Sequence, residues 1–326
     1  PHPVLRSLVT PVYQRNWRYD CALFTRSGHG LKVFLVFNPH AAAGRAGRLF
    51  EPVLAALRGF ATVDVRQTRA PGDARAWVAE TDLSGYDAVL AAGGDGTLFE
   101  TLNGLYENNS DAKPPLGTIP VGTGNAFARD LGLMPGDWRK GVDIVAAGRT
   151  RAFDVGRVES GSGAYHFLNI VGAGLPADVM QSSLRLKAFG RASYSVATLF
   201  KAMQMNCRPL RIRLDGEVIE RDCLFIEVSN TRYTGTSFLI APGAEPDDGL
   251  LDVTVVRRLP RRRVLRLFPS VYKGEHVNFD EVETFQAREI GIESAEPLLL
   301  APDGELEGST PVTVRCLHRD LQIFSS

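Results

Sequence analysis

The stretch Ala88-Val89-Leu90-Ala91-Ala92-Gly93-Gly94-Asp95-Gly96-Thr97 decides how this chain is read. Its first five residues form an apolar run short enough for a buried strand. It then enters three glycines within four positions. Leu98, Leu102 and Leu105 follow at the spacing of one helix face. A loop of this kind lets the backbone approach a ligand closely, and the free N–H groups of the next helix favour phosphate. Asp95 is the odd residue, because a carboxylate facing phosphate is repulsive unless a divalent cation or a transferable proton intervenes. A metal-bound nucleoside triphosphate resolves the conflict; a plain tight turn is the simpler alternative.

Outward from this loop, the pattern of strand, turn and helix repeats. Lys32 to Phe37, Ala61 to Thr68 and Leu116 to Val121 are further candidate strands. Ala46 to Leu57, Asp73 to Ala79 and Leu98 to Tyr106 are helix-like. Apolar strands separated by helices predict a parallel sheet covered on both faces, with ligands beyond the carboxyl ends of its strands. A second loop there, Pro120-Val121-Gly122-Thr123-Gly124-Asn125-Ala126-Phe127-Ala128-Arg129, also follows a strand and opens a helix. Two such loops side by side suit the two ends of a triphosphate. Neither carries GxxxxGK[ST] or GxGxxG.

With 326 residues, the chain is long enough for about two domains. Its 37 Lys+Arg balance 37 Asp+Glu, which argues against a protein that neutralises long stretches of nucleic-acid phosphate. Cys21, Cys207, Cys223 and Cys316 form no CxxC pair, so a disulfide scaffold or structural zinc site is not expected and a reducing, cytoplasmic setting fits. No run of about eighteen apolar residues occurs. Residues 1–30 have the character of an extension, mixing Arg6, Arg15, Arg18 and Arg26 with Tyr13, Trp17 and Phe24. No function is assigned to them.

After Phe153 the pattern turns to strands: Val155 to Glu159, Ala164 to Val171, Leu210 to Leu214, Cys223 to Val228, Leu251 to Val256, Arg288 to Ile292 and Val312 to Cys316. Turns such as Asp215-Gly216 and Asp303-Gly304 fit hairpins, and many short strands read as a β-sandwich. Only Asp178 to Met205 is clearly helical in pattern, its apolar residues suited to a core or a pocket wall. Six arginines between Arg257 and Arg266 form a solvated charge run or, on a helix, a basic surface for anionic lipid headgroups. His318-Arg319-Asp320-Leu321 imitates a protein-kinase catalytic loop, but DFG is absent and no Asn follows.

At Gly93 to Thr97 the sequence resembles the diacylglycerol kinase catalytic-domain superfamily, and more closely its bacterial lipid kinase and sphingosine kinase-like branches. GGDGT also occurs in NAD kinases. PVGTGNAFAR is the more discriminating block, being similar to the P-x-GT-x-N-D-F-A-R of the lipid kinases. Val228 to Gly235, Ala241 to Asp252 and Ala301 to Glu305 resemble the superfamily's V-x-N-x-x-Y-x-G, AP-x-A-x-x-DDG-x-L-D and DGE segments. The resemblance covers Leu31 to about Phe324. It implies an α/β plus all-β protein: an NAD-kinase-like nucleotide domain over residues 31–150 and a lipid-binding β-sandwich over 151–311. The last strand, about 312–326, can return to the first domain.

The resemblance also implies roles. Asp303 is the expected general base toward the lipid hydroxyl, with Asp95 as runner-up and as organiser of the triphosphate and its Mg²⁺. Asn38, Thr68, Gly93, Gly94, Gly96, Thr97, Thr123 and Glu305 are expected at the nucleotide; Asn38, Thr68 and Thr123 equally suit helix caps. The side chain of Asp248 and the carbonyls of Glu245 and Leu250 are the implied ligands of a structural Mg²⁺, an all-oxygen set that suits that ion. Asp178 is the implied contact of the substrate's polar head, or a helix cap. Two positions depart from the bacterial pattern: Phe99 stands where an Asn is usual, putting one polar contact near the phosphates in doubt, and Ala126 stands where Asp is common. The expectation is an ATP- and Mg²⁺-dependent kinase of a diacylglycerol-type or sphingoid/ceramide-type lipid, cytoplasmic and peripheral at an anionic membrane, with oligomerisation open. An NAD kinase and a non-catalytic nucleotide or lipid sensor are the alternatives.

Overall fold

The computed structural model describes residues 30–110, 113–178, 207–235 and 237–326. The N-terminal extension and all but the first residue of the expected helix from Asp178 to Met205 lie outside them.

Strands β1 (Leu31–Phe37), β2 (Ala61–Gln67), β3 (Ala88–Gly93) and β4 (Leu116–Pro120) pair in parallel in the order β2-β1-β3-β4. Burial on both faces explains the missing alternation in β1 and β3. On one face Val33, Leu35 and Phe37 pack against α1 (Phe50–Arg58). On the other, Phe34 and Val36 meet α2 (Asp73–Glu80) and α3 (Asp95–Glu107). Helix α3 begins three residues earlier than the leucine spacing predicts. Gly94 is its N-cap, and Asp95, a favourable charge at a helix N-terminus, occupies its first turn. The second glycine loop leads into the short α4 (Ala126–Asp130). The sequence reading missed α5 (Trp138–Ala147), whose Trp138, Val142 and Val145 complete the first face.

Strands β5 (Thr150–Ser160), β6 (Gly163–Phe167), β7 (Ile170–Gly174), β8 (Arg208–Leu214) and β9 (Glu217–Ser229) open the sandwich. The short β10 (Tyr233–Thr234) and β11 (Phe238–Leu239) pair with each other, and β12 (Leu251–Arg257) lies against β9. Then come α6 (Arg261–Val271), β13 (Val282–Ala287), β14 (Glu289–Ser294), β15 (Leu300–Pro302) and β16 (Val312–Phe324). The sandwich core gathers Tyr165, Phe167, Ile226, Val228, Val253, Ile290 and Val314. The single strand expected from Ala164 to Val171 is instead β6 and β7, separated by Leu168 and Asn169. Strand β13 and helix α6 add to the elements expected.

Strand β16 joins the halves. It pairs antiparallel with β14 and β5, and Ile323 then pairs in parallel with Leu116 of β4. Its register shifts between Leu317 and Leu321, where Arg319 has φ 51°. The His318-Arg319-Asp320 triplet is this bend: the His318 ring and the Arg319 N–H both bond the buried Asp154 carboxylate. Phe99 also joins the halves. It is buried in the sandwich core, with its ring 6.0 Å edge-on from Tyr165, so this departure serves packing between α3 and the sandwich. One turn on, Asn103 exchanges two hydrogen bonds with the backbone of His166.

Candidate active site

The two glycine loops pack backbone against backbone. Gly122 N donates to Gly93 O at 2.9 Å, and a Cβ on Gly122 would stand 2.5 Å from the Gly94 Cα, a contact no side chain tolerates. Asn125 takes a left-handed conformation (φ 52°), and its side-chain amide donates to Gly122 O at 3.0 Å, closing the loop on itself.

This architecture fixes Asp95. Its carboxylate turns toward the start of α4, accepting from the N–H groups of Ala126, Phe127 and Asn125. Burial still pushes Asp95 up to about 6 against these bonds.

Asp303 lies in the turn after β15, with φ 42°, and Gly304 follows at φ 85°. The hairpin-turn reading and the site reading of Asp303-Gly304 are therefore compatible. Its carboxylate is buried and accepts three main-chain bonds: from Leu168 at 3.0 Å, Asn169 at 3.0 Å and Ile170 at 2.8 Å. Two of these donors separate β6 from β7 and the third opens β7, so the break in the expected strand is the cradle for this carboxyl. Burial, with the charge of Asp95 adding to it, pushes Asp303 up to about 7 despite those donors. A carboxylate offers about four acceptor positions. Three are taken, two on Oδ1 and one on Oδ2, which leaves one position on Oδ2.

The cradle is held from beneath by the VSNTRYTG segment. The Asn230 side chain donates to Asp154 O and Leu168 O, both at 2.8 Å, and the Asn230 N–H donates to Asn169 O at 2.9 Å. Thr231 bonds the Asn169 side chain. Arg232 then crosses to the nucleotide half, its Nε 2.6 Å from the Asp130 carboxylate at the end of α4. The motif spacing pointed to this segment, but the support of Leu168–Ile170 by Asn230 has no local sequence signal.

The other expected residues fall as follows. Asn38 donates to the Thr97 hydroxyl at 3.0 Å, tying the end of β1 to the first turn of α3. Thr68 is buried after β2, its N–H bonded to Phe37 O at 2.9 Å. Thr123 lies between the two glycines of the second loop. The Glu305 carboxylate lies against Gly96, at the positive end of α3. Asp178 pairs with Arg208 at 3.6 Å.

Asp248 is exposed in a loop, and one of its oxygens accepts from Leu250 N at 2.9 Å. Partial burial and the nearby charges of Asp154, Glu245 and Asp247 hold it above its ordinary value. Such an excess of negative oxygen suits a hard divalent cation. No group of three His, Cys, Asp or Glu side chains among the described residues is arranged to hold a metal, so a site here would depend on backbone carbonyls.

Sequence reasoning missed an apolar cavity of about 90 Å³ between α6 and strands β9 and β11. Leu224, Phe238, Val264, Leu267 and Val271 line it, together with two buried polar side chains, Glu227 and His276. Burial pushes Glu227 up to about 7 and lowers His276. The alternation that made β9 legible gave no hint that Glu227 faces an apolar space.

Comparison with known proteins decides the family. Residues 32–158 match the model of the diacylglycerol kinase catalytic domain, and residues 169–325 match the YegS C-terminal NAD kinase beta sandwich-like domain. The diacylglycerol kinase of Mycobacterium tuberculosis (strain H37Rv) is 34% identical over 298 residues, covering 90% of this chain and 94% of that protein. The chain belongs to the diacylglycerol kinase family.

Other members of this kinase family lie at similar range. The diacylglycerol kinase of Bacillus subtilis (strain 168) is 30% identical, over 89% of this chain and 94% of its own. A Bacillus anthracis crystal structure assigned to the diacylglycerol kinases superposes with a TM-score of 0.74 at 27% identity, over 92% of this chain and 99% of that one. An NAD kinase and a non-catalytic sensor are accordingly disfavoured. No helix among the described residues is long and apolar enough to cross a membrane.

Proposed function

We propose that this protein transfers the γ-phosphate of ATP to the hydroxyl of a membrane lipid of the diacylglycerol or sphingoid/ceramide type. The observation that carries the reading is the Asp303 carboxyl, seated on three main-chain donors beside Asp95 with one acceptor position left. A lipid hydroxyl is a poor nucleophile until its proton has somewhere to go. In its ionised form Asp303 takes that proton as the hydroxyl oxygen bonds the γ-phosphorus. The bond from that phosphorus to the bridging oxygen breaks, and ADP leaves with the electron pair. Asp95, tethered by the α4 amides, orients the triphosphate.

The packed glycine loops, Asn38, Thr68, Thr97, Thr123 and Glu305 form the nucleotide end of this scheme. Magnesium, when bound with ATP, supplies charge neutralisation at the phosphates. Asp248 with the carbonyls of Glu245 and Leu250 is the proposed structural magnesium site. Asp178 stands two residues after Pro176, which lines the apolar cavity, and is assigned to the lipid's polar head. A lipid chain enters the cavity beneath α6. Helix α6 turns Val264, Leu267 and Val271 inward, while Arg261, Arg262, Leu265 and Arg266 stay exposed. Its outer face is the proposed contact with anionic headgroups.

The test is transfer of label from γ-labelled ATP into diacylglycerol, phosphatidylglycerol, sphingosine and ceramide in mixed micelles, with NAD alongside. Label in one lipid, lost in Asp303→Asn, supports the reading. Label on NAD alone refutes it.

A further inference from the structure

Glu227 is a buried carboxyl that the proposed phosphoryl transfer leaves without a task. It lies on β9, opposite Gly172 of β7, and is 3% exposed. Its neighbours in sequence, Ile226 and Val228, point the other way into the sandwich core. Glu227 itself lines the apolar cavity. Thr234 donates a hydrogen bond to the carboxyl, but Oε1 is buried with no partner among the described residues. His276, on the same cavity, bonds Ile240 O through Nε2 and leaves Nδ1 buried without a partner there. Unsatisfied polar atoms in an apolar cavity cost stability unless a ligand completes them.

The position of this carboxyl relative to the reacting groups gives it meaning. Thr234, which holds Glu227, is followed by Gly235. The Gly235 carbonyl lies 3.5 Å from where a Cβ on Gly124 would stand, and the Asp95 carboxylate lies 3.0 Å from that same point. A single residue therefore separates the cavity's polar end from the second glycine loop. The strand register gives the same result from the other side. Asp303 bonds Ile170, Ile170 pairs with Ser229, and Ser229 lies two residues from Glu227 on the same side of β9. The Ser229 hydroxyl is fully buried and has no partner among the described residues, marking a polar step between the two carboxyls. Two strand spacings and two residues put the Asp303 and Glu227 backbones on the order of 12 Å apart. A glycerol or sphingoid backbone with its first chain carbons covers that span.

We infer that Glu227 is the positioning residue for the acceptor: it hydrogen-bonds the polar linkage at the root of one lipid chain while the first chain carbons occupy the cavity and the hydroxyl reaches Asp303. This rests on the lipid-kinase reading above. The shared chemistry is an aliphatic chain with an ester, amide or hydroxyl at its root. The shape of the site supports it, since about 90 Å³ holds a few chain carbons rather than two chains. The raised titration of Glu227 is consistent with a carboxyl that keeps its proton in apolar surroundings and can donate as well as accept.

The experiment compares the full-length protein with Glu227→Gln and Glu227→Leu, using dioctanoylglycerol and an eight-carbon ceramide as separate acceptors at saturating ATP. On whichever lipid the unaltered protein phosphorylates, Glu227→Leu raises the acceptor KM about tenfold, the loss of one buried hydrogen bond. The ATP KM and kcat stay within about twofold, because the groups at the phosphates are untouched. Glu227→Gln, able to donate and accept, returns the acceptor KM to within about threefold of the original. Thermal stability of Glu227→Leu changes little, since the bond lost to Thr234 is offset by removal of the unpartnered Oε1 from an apolar cavity. Transfer with an unchanged acceptor KM in Glu227→Leu overturns the inference and leaves the lipid-kinase reading standing. A rise that Gln fails to correct assigns the effect to packing and also overturns it. Transfer by the unaltered protein to neither lipid means that the lipid-kinase reading has failed, and this inference falls with it.

Discussion

Asp95, at the start of α3, lies near enough to Asp303, in the turn after β15, that its charge adds to burial in holding the Asp303 carboxyl above its ordinary value. Each is tethered by main-chain N–H groups from a different segment: residues 125–127 for Asp95 and residues 168–170 for Asp303. Two carboxyls held so firmly differ in what they have left. Asp303 keeps an acceptor position inside a buried cradle, whereas Asp95 is half-buried at the rim of the glycine loops. The proposed division of roles, Asp303 as base and Asp95 as organiser of the triphosphate, rests on that difference.

The pH dependence of turnover follows. A general base must be ionised, and Asp303 titrates near 7. The rate kcat is expected to rise with pH through about 7 and level off above it, measured at saturating ATP and lipid. Asp303→Asn lowers kcat by a factor of roughly 10²–10⁴ and removes that limb, with the ATP KM little changed. A variant that keeps the same limb shows that another group is the base.

Stability should respond to pH in the opposite sense. Asp303 and Glu227 both bind their proton more tightly in the folded chain than in the unfolded one. Their contribution is full below the unfolded value of about 4 and is lost as pH rises through about 7. The melting temperature of the unaltered protein, compared between about pH 5 and pH 8, therefore includes a fall that Glu227→Gln makes smaller. An identical fall in the variant contradicts the burial argument for Glu227.

Gly122→Ala tests the packing of the two loops. The added methyl group would meet the Gly94 Cα at 2.5 Å, and only backbone movement relieves it. Overpacking of this kind costs about 1–3 kcal/mol. The expected result is a lower melting temperature together with weaker ATP binding by calorimetry. Unchanged nucleotide affinity separates this loop from the phosphate site.

Arg232→Met removes the cation facing Asp130, whose carboxyl burial already holds above its ordinary value. The carboxylate left behind is buried without a cation and keeps only the main-chain N–H groups of residues 232 and 233, at a cost of about 1–3 kcal/mol. Denaturant unfolding measures it. Restoration of stability by the second change Asp130→Asn is expected, and its failure assigns the loss to the packing of the arginine stem.

Neutralising Arg261, Arg262 and Arg266 to Gln is expected to weaken binding to anionic vesicles at low salt by up to about 1 kcal/mol per residue. ATP binding is unchanged. Equal vesicle binding before and after removes α6 as the membrane contact.

The parallel sheet and both glycine loops were legible because apolar runs, glycine clusters and helix spacing are local signals. The sandwich was legible as a class, but β6 and β7 were read as one strand. Nothing within Ala164 to Val171 shows that Leu168, Asn169 and Ile170 give their N–H groups to a carboxyl far along the chain. Phe99 looked like a lost polar contact because its partner, Tyr165, belongs to the other half of the molecule. Glu227 was invisible for a related reason: a charged residue in a strand reads as solvent-facing until α6 is seen to cover it. Asp303 was legible only through its motif, and its cradle belongs to tertiary structure alone.

Asp303 is proposed to accept the proton of a lipid hydroxyl as phosphate is transferred. The most direct test is single-turnover transfer from γ-labelled ATP to the preferred lipid, followed across pH for the unaltered protein and for Asp303→Asn. The expected result is labelled lipid, a rate that rises through about pH 7 in the unaltered protein, and a slow, pH-independent residual rate in the variant. Labelled lipid formed at the same rate by both proteins contradicts it.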